Sequence, residues 1–147
     1  MRLCSSNFRP RCTPPRNRTK YKYDAEGNRT ARWVASTSNE TTPGTGDTDI
    51  TVYSWDNRDR LTEVKHFGTF ADYSATTPVP DLVVKYVYDV FNRRIASVYD
   101  TNGDGTPDRV ERYIWDGQNV VLDLVDPDGG NNGGSSAPLA RIPTEPN

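Results

Sequence analysis

Alternation of apolar and polar positions is the clearest pattern along the chain. Val84, Tyr86 and Tyr88 occupy every second position, and a second set with the same period runs through residues 110–115. A period of two is typical of β-strands, because successive side chains in a strand point to opposite faces. Four further strand-like segments lie at residues 30–35, 61–67, 95–99 and 120–125, and the last two of them follow these runs. The pattern therefore predicts pairs of strands and not helices.

An aromatic motif recurs four times in the first strand of each predicted pair. A tyrosine is followed two residues later by a second aromatic residue and then by an aspartate. The copies are Tyr21-Lys22-Tyr23-Asp24, Tyr53-Ser54-Trp55-Asp56, Tyr86-Val87-Tyr88-Asp89 and Tyr113-Ile114-Trp115-Asp116. The tyrosines recur after 32, 33 and 27 residues. Such a repeat indicates a supersecondary unit that buries its apolar face only against its neighbours.

Turn-forming residues follow each aspartate, so each unit is predicted to be a β-hairpin. The first three turns run into similar tails: Gly27-Asn28-Arg29-Thr30, Asp59-Arg60-Leu61-Thr62 and Asn92-Arg93-Arg94-Ile95. The fourth copy lacks the arginine and reads Asn119-Val120-Val121. We expect an all-β ribbon of consecutive antiparallel hairpins over residues 20–126, with repeats starting near 21, 53, 86 and 113. Variable loops are expected at residues 36–49, 68–81 and 100–108.

The two ends differ in composition from this repeat region. Six of the 18 Lys and Arg residues lie in residues 1–20, which contain no acidic residue. We expect residues 1–19 to form a basic, disordered leader and the Gly-, Asn-, Ser- and Pro-rich residues 127–147 to form a disordered tail. Cys4 and Cys12, the only cysteines, both lie in the leader. They form either one disulfide or two free thiols.

Composition limits the classes of function. Only 33% of residues are hydrophobic and the mean hydropathy is -0.81, so a large compact core is not expected. The net charge is -2, and because the leader is basic the repeat region is acidic. Phosphate contacts need clustered Lys and Arg, which argues against nucleic-acid binding by the repeats. No signal peptide and no membrane-spanning segment are recognisable.

The repeat unit closely resembles the YD repeats of the Rhs family. The likeness lies in Tyr-x-Tyr-Asp-x-x-Gly-Asn-Arg-Thr at residues 21–30 and Tyr-x-Trp-Asp-x-x-Asp-Arg-Leu-Thr at residues 53–62. Four copies agree in motif, spacing and hairpin pattern, over about residues 20–126. The resemblance implies hairpins joined into a β-ribbon that spirals into a hollow shell. In bacterial members the shell encloses a toxic C-terminal domain, and in animal relatives it belongs to cell-surface adhesion proteins.

The resemblance also implies a secreted or cell-surface location, with the rest of an Rhs-type shell or its toxin cargo as partner. Four repeats are fewer than a full shell needs. The family's C-terminal core segment, in which some members cleave themselves, has no counterpart in this sequence. We therefore expect a non-catalytic structural fragment of such a shell, whose ancestral role was toxin encapsulation or surface adhesion.

The chemistry of the motif suits a structural role. Aromatic residues at offsets of zero and two share one strand face, so we expect them to align in a cross-strand ladder. The aspartate is expected to accept hydrogen bonds from turn amides and to fix the hairpin register. Arg29, Arg60 and Arg93 are expected to pair with the aspartate of a neighbouring repeat. The alternative is that the aromatic residues form a platform for carbohydrate or peptide.

One loop matches the calcium-loop pattern Asp-x-Asn-x-Asp-Gly-x5-Glu. Calcium binds six to eight oxygen atoms, and alternating carboxylates with a sharp glycine turn supply them. The candidate ligands are Asp100, Asn102, Asp104, Thr106 through its carbonyl, Asp108 and Glu111. The flanking segments are predicted strands and not the helices of an EF-hand. The alternative is an acidic hairpin turn built on Asn-Gly and Asp-Gly pairs.

Signals for enzymatic activity are weak. The chain has one histidine, no Gly-x-Ser-x-Gly elbow, no glycine-rich phosphate loop after a strand and no His/Cys metal cluster. His66, on a predicted strand beside Phe67, is interpreted as a half-exposed filler. We expect no catalytic residues and no cofactor other than the calcium considered above. A calcium- or carbohydrate-binding module is the alternative function.

Overall fold

A computed structural model describes residues 18–37, 41–130 and 139–141, which form nine strands and one short helix. The elements in chain order are β1 (Arg18–Tyr23), β2 (Arg29–Ala35), β3 (Thr48–Trp55), β4 (Leu61–Thr69), α1 (Phe70–Ser74), β5 (Leu82–Tyr88), β6 (Arg94–Asp100), β7 (Arg109–Asp116), β8 (Asn119–Asp126) and β9 (Leu139–Arg141). The strands form one sheet in which each pairs antiparallel with the next in the sequence. The predicted all-β ribbon of consecutive hairpins is confirmed.

Each of the four hairpins has a β-bulge at the same place. The pairing register shifts just before the second aromatic residue of every motif, and the extra residue lies on the second strand. The extra residues are Thr30, Thr62, Ile95 and Val121. A bulge increases local twist and re-aims the flanking side chains. The residue just before each bulge is thereby brought opposite the second aromatic residue of its own hairpin.

The seams between neighbouring hairpins also share one register. In the first three seams the second residue after the bulge pairs with the second residue before the next motif tyrosine. These pairs are Arg32 with Thr51, Val64 with Val84, and Ser97 with Glu111. The corresponding residue of the fourth hairpin, Asp123, pairs with Arg141 of β9. The backbone of β9 therefore occupies the position that the first strand of a fifth hairpin would take.

The hydrophobic core is small and lies at the N-terminal end of the sheet. Trp33 and Ile50, exposed by 1% and 0%, pack with Phe67. Phe70 and Tyr73 cover this cluster from the helix. A single open sheet leaves much of both faces in contact with solvent, and this cluster forms where the helix covers the sheet.

The segment predicted as a loop at residues 68–81 is more ordered than expected. β4 continues to Thr69, whose side chain then caps α1 by accepting a hydrogen bond from the backbone nitrogen of Asp72. An N-cap threonine satisfies an amide that has no partner inside the helix. The aromatic side chains of Phe70 and Tyr73 hold this short helix against the sheet, because they cover Phe67.

The two ends differ in part from the prediction. β1 begins at Arg18, inside the expected leader, and residues 1–17, with Cys4 and Cys12, lie outside the described part of the chain. In the expected tail, residues 127–130 form a turn and Leu139–Arg141 forms β9. The backbone of β9 pairs with β8 within the segment predicted as the tail, while residues 131–138 and 142–147 lie outside the described residues.

Candidate functional site

The aspartate of the motif organises the turn of each of the first three hairpins. Oδ1 of Asp56 accepts hydrogen bonds from the backbone nitrogens of Arg58 and Arg60, at 2.9 and 3.1 Å. Asp89 makes the same contacts with Phe91 and Arg93, at 2.8 and 2.9 Å. A carboxylate that accepts several turn amides fixes the turn without help from the rest of the protein. The motif aspartates are therefore bound within their own turns.

Each of these turns contains a residue in the left-handed region of the backbone. Gly27, Asp59 and Asn92 have φ values of 93°, 56° and 65° and occupy the same position, three residues after the motif aspartate. Gly, Asn and Asp tolerate this conformation better than other residues. The positive φ at this position therefore restricts the motif to residues that tolerate it.

The fourth turn is shorter. Asp116 pairs directly with Asn119, and Gly117 supplies the positive φ of 58°. A two-residue turn leaves no loop amides placed as they are around Asp56. The loss of the arginine in this copy therefore accompanies a different turn type.

Arg60 and Arg93 pair with the aspartate of their own repeat, which differs from the prediction, whereas Arg29 stacks on the ring of Tyr21. Nε of Arg60 donates to Oδ2 of Asp56 at 2.7 Å, and Arg93 makes the same contact with Asp89. A second nitrogen of Arg60 then donates to the backbone carbonyl of Asp89, at 3.2 Å, and so reaches the next repeat. Because the carboxylate in the next turn is already bound to its own turn amides, the neighbouring repeat offers a carbonyl oxygen instead.

The electrostatics of these turns follow from the same contacts. The hydrogen bond from Arg60 lowers the pKa of Asp56 to about 2, and backbone amides add to the effect. Burial raises the pKa of Asp89, but the hydrogen bonds from Arg93 and Phe91 outweigh it and the net pKa is lowered. Both carboxylates are therefore ionised at neutral pH and hold their arginines in place.

The second aromatic residue of the motif links neighbouring hairpins. It donates a hydrogen bond from its polar edge to a backbone carbonyl at the start of the preceding hairpin's second strand. The three bonds are Trp55 Nε1 to Arg29 O at 2.8 Å, Tyr88 OH to Leu61 O at 2.9 Å, and Trp115 Nε1 to Arg94 O at 3.0 Å. All three acceptors lie five residues after a motif aspartate. Only Tyr and Trp combine a large apolar ring with a donor at its far edge.

Arginine side chains, rather than other aromatic rings, stack on the motif aromatics. The guanidinium of Arg94 lies 5.4 Å from the ring centre of Tyr86 and 5.2 Å from that of Tyr113. Arg29 lies 4.7 Å from the ring of Tyr21. The predicted aromatic ladder is replaced by alternating rings and cations, because an intervening second strand separates the aromatic strands of neighbouring repeats. Such contacts contribute about 0.5–1 kcal/mol each at exposed sites.

The predicted calcium loop folds as a self-contained acidic turn. Asp100, only 7% exposed, accepts hydrogen bonds from the backbone nitrogens of Gly103 at 2.6 Å and Gly105 at 2.9 Å. Asp108 accepts two from Thr101, both at 2.6 Å, which lowers the pKa of its carboxyl. The loop carboxylates thus serve as acceptors for the backbone of their own loop.

The remaining candidate ligands do not converge with these carboxylates. Oδ1 of Asp104 accepts from the nitrogen of Thr106 at 2.8 Å, and Oδ1 of Asn102 accepts from the nitrogen of Asp104 at 3.0 Å. Within residues 18–37, 41–130 and 139–141, no group of three or more His, Cys, Asp or Glu side chains is placed to hold a metal ion. Calcium binding by this loop stays a prediction.

Glu111 belongs to a separate cluster on the sheet. Its Oε2 accepts hydrogen bonds from the hydroxyls of Tyr99 at 3.1 Å and Tyr113 at 2.7 Å, and Arg109 pairs with its other oxygen. Burial raises the pKa of both tyrosines, and the negative charge of Glu111 adds to the effect. Glu111 thus joins the motif tyrosine of the fourth repeat to β6.

The acidic turn also packs against the preceding loop. A Cβ atom added to Gly103 would lie 1.6 Å from the carbonyl oxygen of Pro80, so only glycine fits there. A Cβ at Gly129 would lie 2.0 Å from the carbonyl oxygen of Pro107. At this end of the strands, each of these loops therefore contacts the next one along the chain. The hairpin turns do the same at the opposite end of the strands.

His66 is not the filler that the sequence suggested. Its Nδ1 lies 2.5 Å from Oδ1 of Asp81, and its Nε2 lies 3.0 Å from Oδ1 of Asp49. Arg32 donates to the other oxygen of Asp49 at 2.8 Å. The sequence carried no signal for this cluster, because its members come from three strands and the segment before β5.

The comparisons with known proteins add no identification. No protein-family model matches the chain, and no curated protein is significantly similar to it. In the part of the chain that the structure describes, no helix has the length and apolar character needed to cross a membrane. The function of the protein therefore has to be argued from the repeat contacts themselves.

Proposed function

We propose that this chain is a non-catalytic structural unit, a segment of a β-sheet wall of the kind that YD repeats form. The observation that carries the proposal is the common register of the first three seams, together with the backbone pairing of β9 at the edge of the fourth hairpin. A sheet that adds each hairpin by the same pairing is extendable in principle at every step. In the family that the sequence resembles, such walls enclose a toxin or belong to surface adhesion proteins.

The fate of the motif side chains supports a scaffold role. The motif aspartates of the first three repeats bind their own turn amides, and the second aromatic residues of the last three repeats donate to the preceding hairpin. Polar groups that are saturated by contacts within the sheet are not available to polarise a substrate. The same contacts stabilise the seams between repeats, where a wall would otherwise separate.

An inserted repeat tests the proposal. Residues 82–108, which contain β5, β6 and the loop that follows, are duplicated after residue 108. If the hairpins are interchangeable wall units, the variant should stay folded and gain two strands, which lengthens the sheet by about 9–10 Å. Small-angle X-ray scattering measures the added length, and circular dichroism measures the added strand content.

A matched control distinguishes a sheet that has gained two strands from a protein that merely tolerates an inserted loop. A Gly/Ser segment of the same length at the same place should add no strand signal and only a flexible loop. The proposal is overturned if the duplicated repeat behaves like the Gly/Ser segment, or if it unfolds the sheet.

A calcium- or carbohydrate-binding module is the second candidate. The match of residues 100–111 to the calcium-loop pattern favours calcium. The stacking of Arg29 and Arg94 on the motif rings weakens the carbohydrate version, because a sugar needs an uncovered ring face. A titration of the chain with calcium tests the calcium-binding function.

A further inference from the structure

The segment between β4 and β5 covers an apolar cavity on the core face of the sheet. Residues 70–81, here called the lid segment, contain α1 and two prolines, Pro78 and Pro80. Together with Val52, Phe67 and Lys65 of the sheet, the lid segment lines a half-open cavity of about 250 Å³. Tyr73 of the lid packs edge-on against Phe67, with ring centres 5.5 Å apart.

The lid segment is held to the sheet at both ends. At its start, the backbone nitrogen of Phe70 donates to the carbonyl of Asp47 at 3.1 Å. At its end, the backbone nitrogen of Asp81 donates to the carbonyl of His66 at 2.9 Å. The carboxylate of Asp81 also contacts the ring of the same histidine, at 2.5 Å. His66 therefore makes two contacts with the last residue of the lid.

The geometry at His66 favours a charged ring. Nδ1 faces Asp81 and Nε2 faces Asp49, and an ionised carboxylate only accepts hydrogen bonds. Both contacts are hydrogen bonds at the same time when both ring nitrogens donate, as they do in the imidazolium. A neutral ring keeps one proton and turns a lone pair toward one of the two carboxylates.

The groups around the ring come from every neighbouring element. Asp49 comes from β3, Asp81 precedes β5, and Arg32 of β2 reaches the cluster through its ion pair with Asp49. The residues that pair with His66 in the flanking strands, Thr51 and Leu82, carry no charge. Burial lowers the pKa of His66, but the hydrogen bonds and charges of Asp81 and Asp49 outweigh it, so the net pKa is raised.

We propose that His66 is a pH-sensitive latch, which holds the lid segment over the apolar cavity while the ring is protonated and releases its Asp81 end when the proton is lost. Loss of the proton removes one of the two donors, so the Asp81 end of the lid keeps its backbone bond to His66 but loses part of its side-chain attachment. That end then opens more often and exposes Phe67.

The direction of the pH dependence follows from linkage. The pKa of His66 is higher with the lid closed than with the ring beside Asp49 alone, so the latch is fully effective below the open-lid pKa and is lost as pH rises through the closed-lid pKa. Between those two values the population of open lid should increase about tenfold per pH unit. Below and above that window it should be constant.

The single histidine of the chain makes the proton directly observable. NMR titration of the His66 ring in the full chain should give a pKa above the ordinary value. Amide exchange, expressed as protection factors so that the intrinsic pH dependence is removed, should report the lid. The backbone nitrogen of Asp81, which donates to the carbonyl of His66, should lose protection over the window in which the ring titrates. The backbone nitrogens of Asp59 and Asn92, in the hairpin turns, should keep their protection at all pH values.

Two variants separate a latch from general instability. His66→Gln keeps one donor and has no titrating group, so the protection of the Asp81 amide should be lower than in wild type and independent of pH. Asp81→Asn keeps the size of the lid residue and removes the charge, so the ring pKa should fall toward 6.5 and the pH dependence should shrink. Far-UV circular dichroism confirms that both variants retain the sheet.

The result that overturns the proposal is equally specific. A ring pKa at or below the ordinary value, or lid protection that does not change while the ring titrates, removes the latch. So does a His66→Gln variant in which the protection of the Asp81 amide keeps the wild-type pH dependence.

Discussion

The hydroxyl of Tyr88 donates a hydrogen bond of 2.9 Å to the backbone carbonyl of Leu61, across the boundary between the second and third hairpins. Trp55 and Trp115 make the equivalent bond from their indole nitrogens in the neighbouring repeats. The motif's second aromatic position is therefore defined by a donor at the far edge of a large ring, and not by aromatic character alone.

Removal of that hydroxyl should weaken the seam. Tyr88→Phe keeps the ring but leaves the Leu61 carbonyl without this donor, so we expect a loss of about 0.5–1.5 kcal/mol in the free energy of unfolding. Urea unfolding followed by tryptophan fluorescence measures the change. Tyr21→Phe, which removes a hydroxyl outside the seams, is the control and should change stability less. Equal effects of the two variants would contradict the role of the seam bond.

The salt bridge in the second turn should appear in the acid titration of the protein. Because Arg60 lowers the pKa of Asp56 to about 2, the stabilisation is present above the ordinary value and is lost as pH falls through about 2. Carboxyl NMR over about pH 1.5 to 5 measures this pKa. Arg60→Gln should raise it toward the ordinary value. The carboxyl of Asp108, whose partner is Thr101, should titrate unchanged in that variant.

The contact between loops predicts unequal effects at two neighbouring glycines. Gly103 and Gly105 both have positive φ, 72° and 90°, but only Gly103 faces the carbonyl of Pro80. Gly105→Ala should cost about 1–2 kcal/mol of folding free energy, for backbone strain alone. Gly103→Ala adds a steric clash and should cost clearly more, with a lower thermal midpoint. Similar midpoints for the two variants would show that the loops do not pack together.

The acidic loop should depend on one carboxylate more than on the others. Asp100 is buried and accepts two backbone amides, so Asp100→Ala should destabilise the protein by about 1–3 kcal/mol. Asp104 is exposed, and Asp104→Ala should change stability by less than about 0.5 kcal/mol. Thermal unfolding of the two variants measures the difference. A larger effect at Asp104 would contradict a turn organised by Asp100.

Calcium titration decides between a turn and a metal site in this loop. Since the carboxylates already accept backbone amides and Glu111 binds Tyr99 and Tyr113, we expect no saturable heat below about 10⁻³ M calcium and no rise in melting temperature. Saturable heat in the wild-type chain that disappears in Asp104→Asn would establish calcium binding instead. Magnesium at the same concentration is the control for ionic strength.

The strands and turns were predictable because their causes are local. Period-two alternation around Val84 and Val110 marked the strands, and the motif aspartates marked the turns that their carboxylates fix. The helix at Phe70 was missed, since its five residues are too few for a helical period to emerge. It forms because its aromatic residues cover Phe67, a contact between residues on different elements.

The sequence by itself determined the hairpins, their number and their order, because alternation and turn chemistry act over a few residues. Tertiary structure decided how the hairpins meet. The stacking of Arg94 between Tyr86 and Tyr113 depends on a strand lying between two aromatic strands, which no spacing along the chain reports. The placement of His66 between Asp49 and Asp81 likewise depends on pairing of β4 with both neighbours, because only the sheet brings residues so far apart in sequence within hydrogen-bond distance.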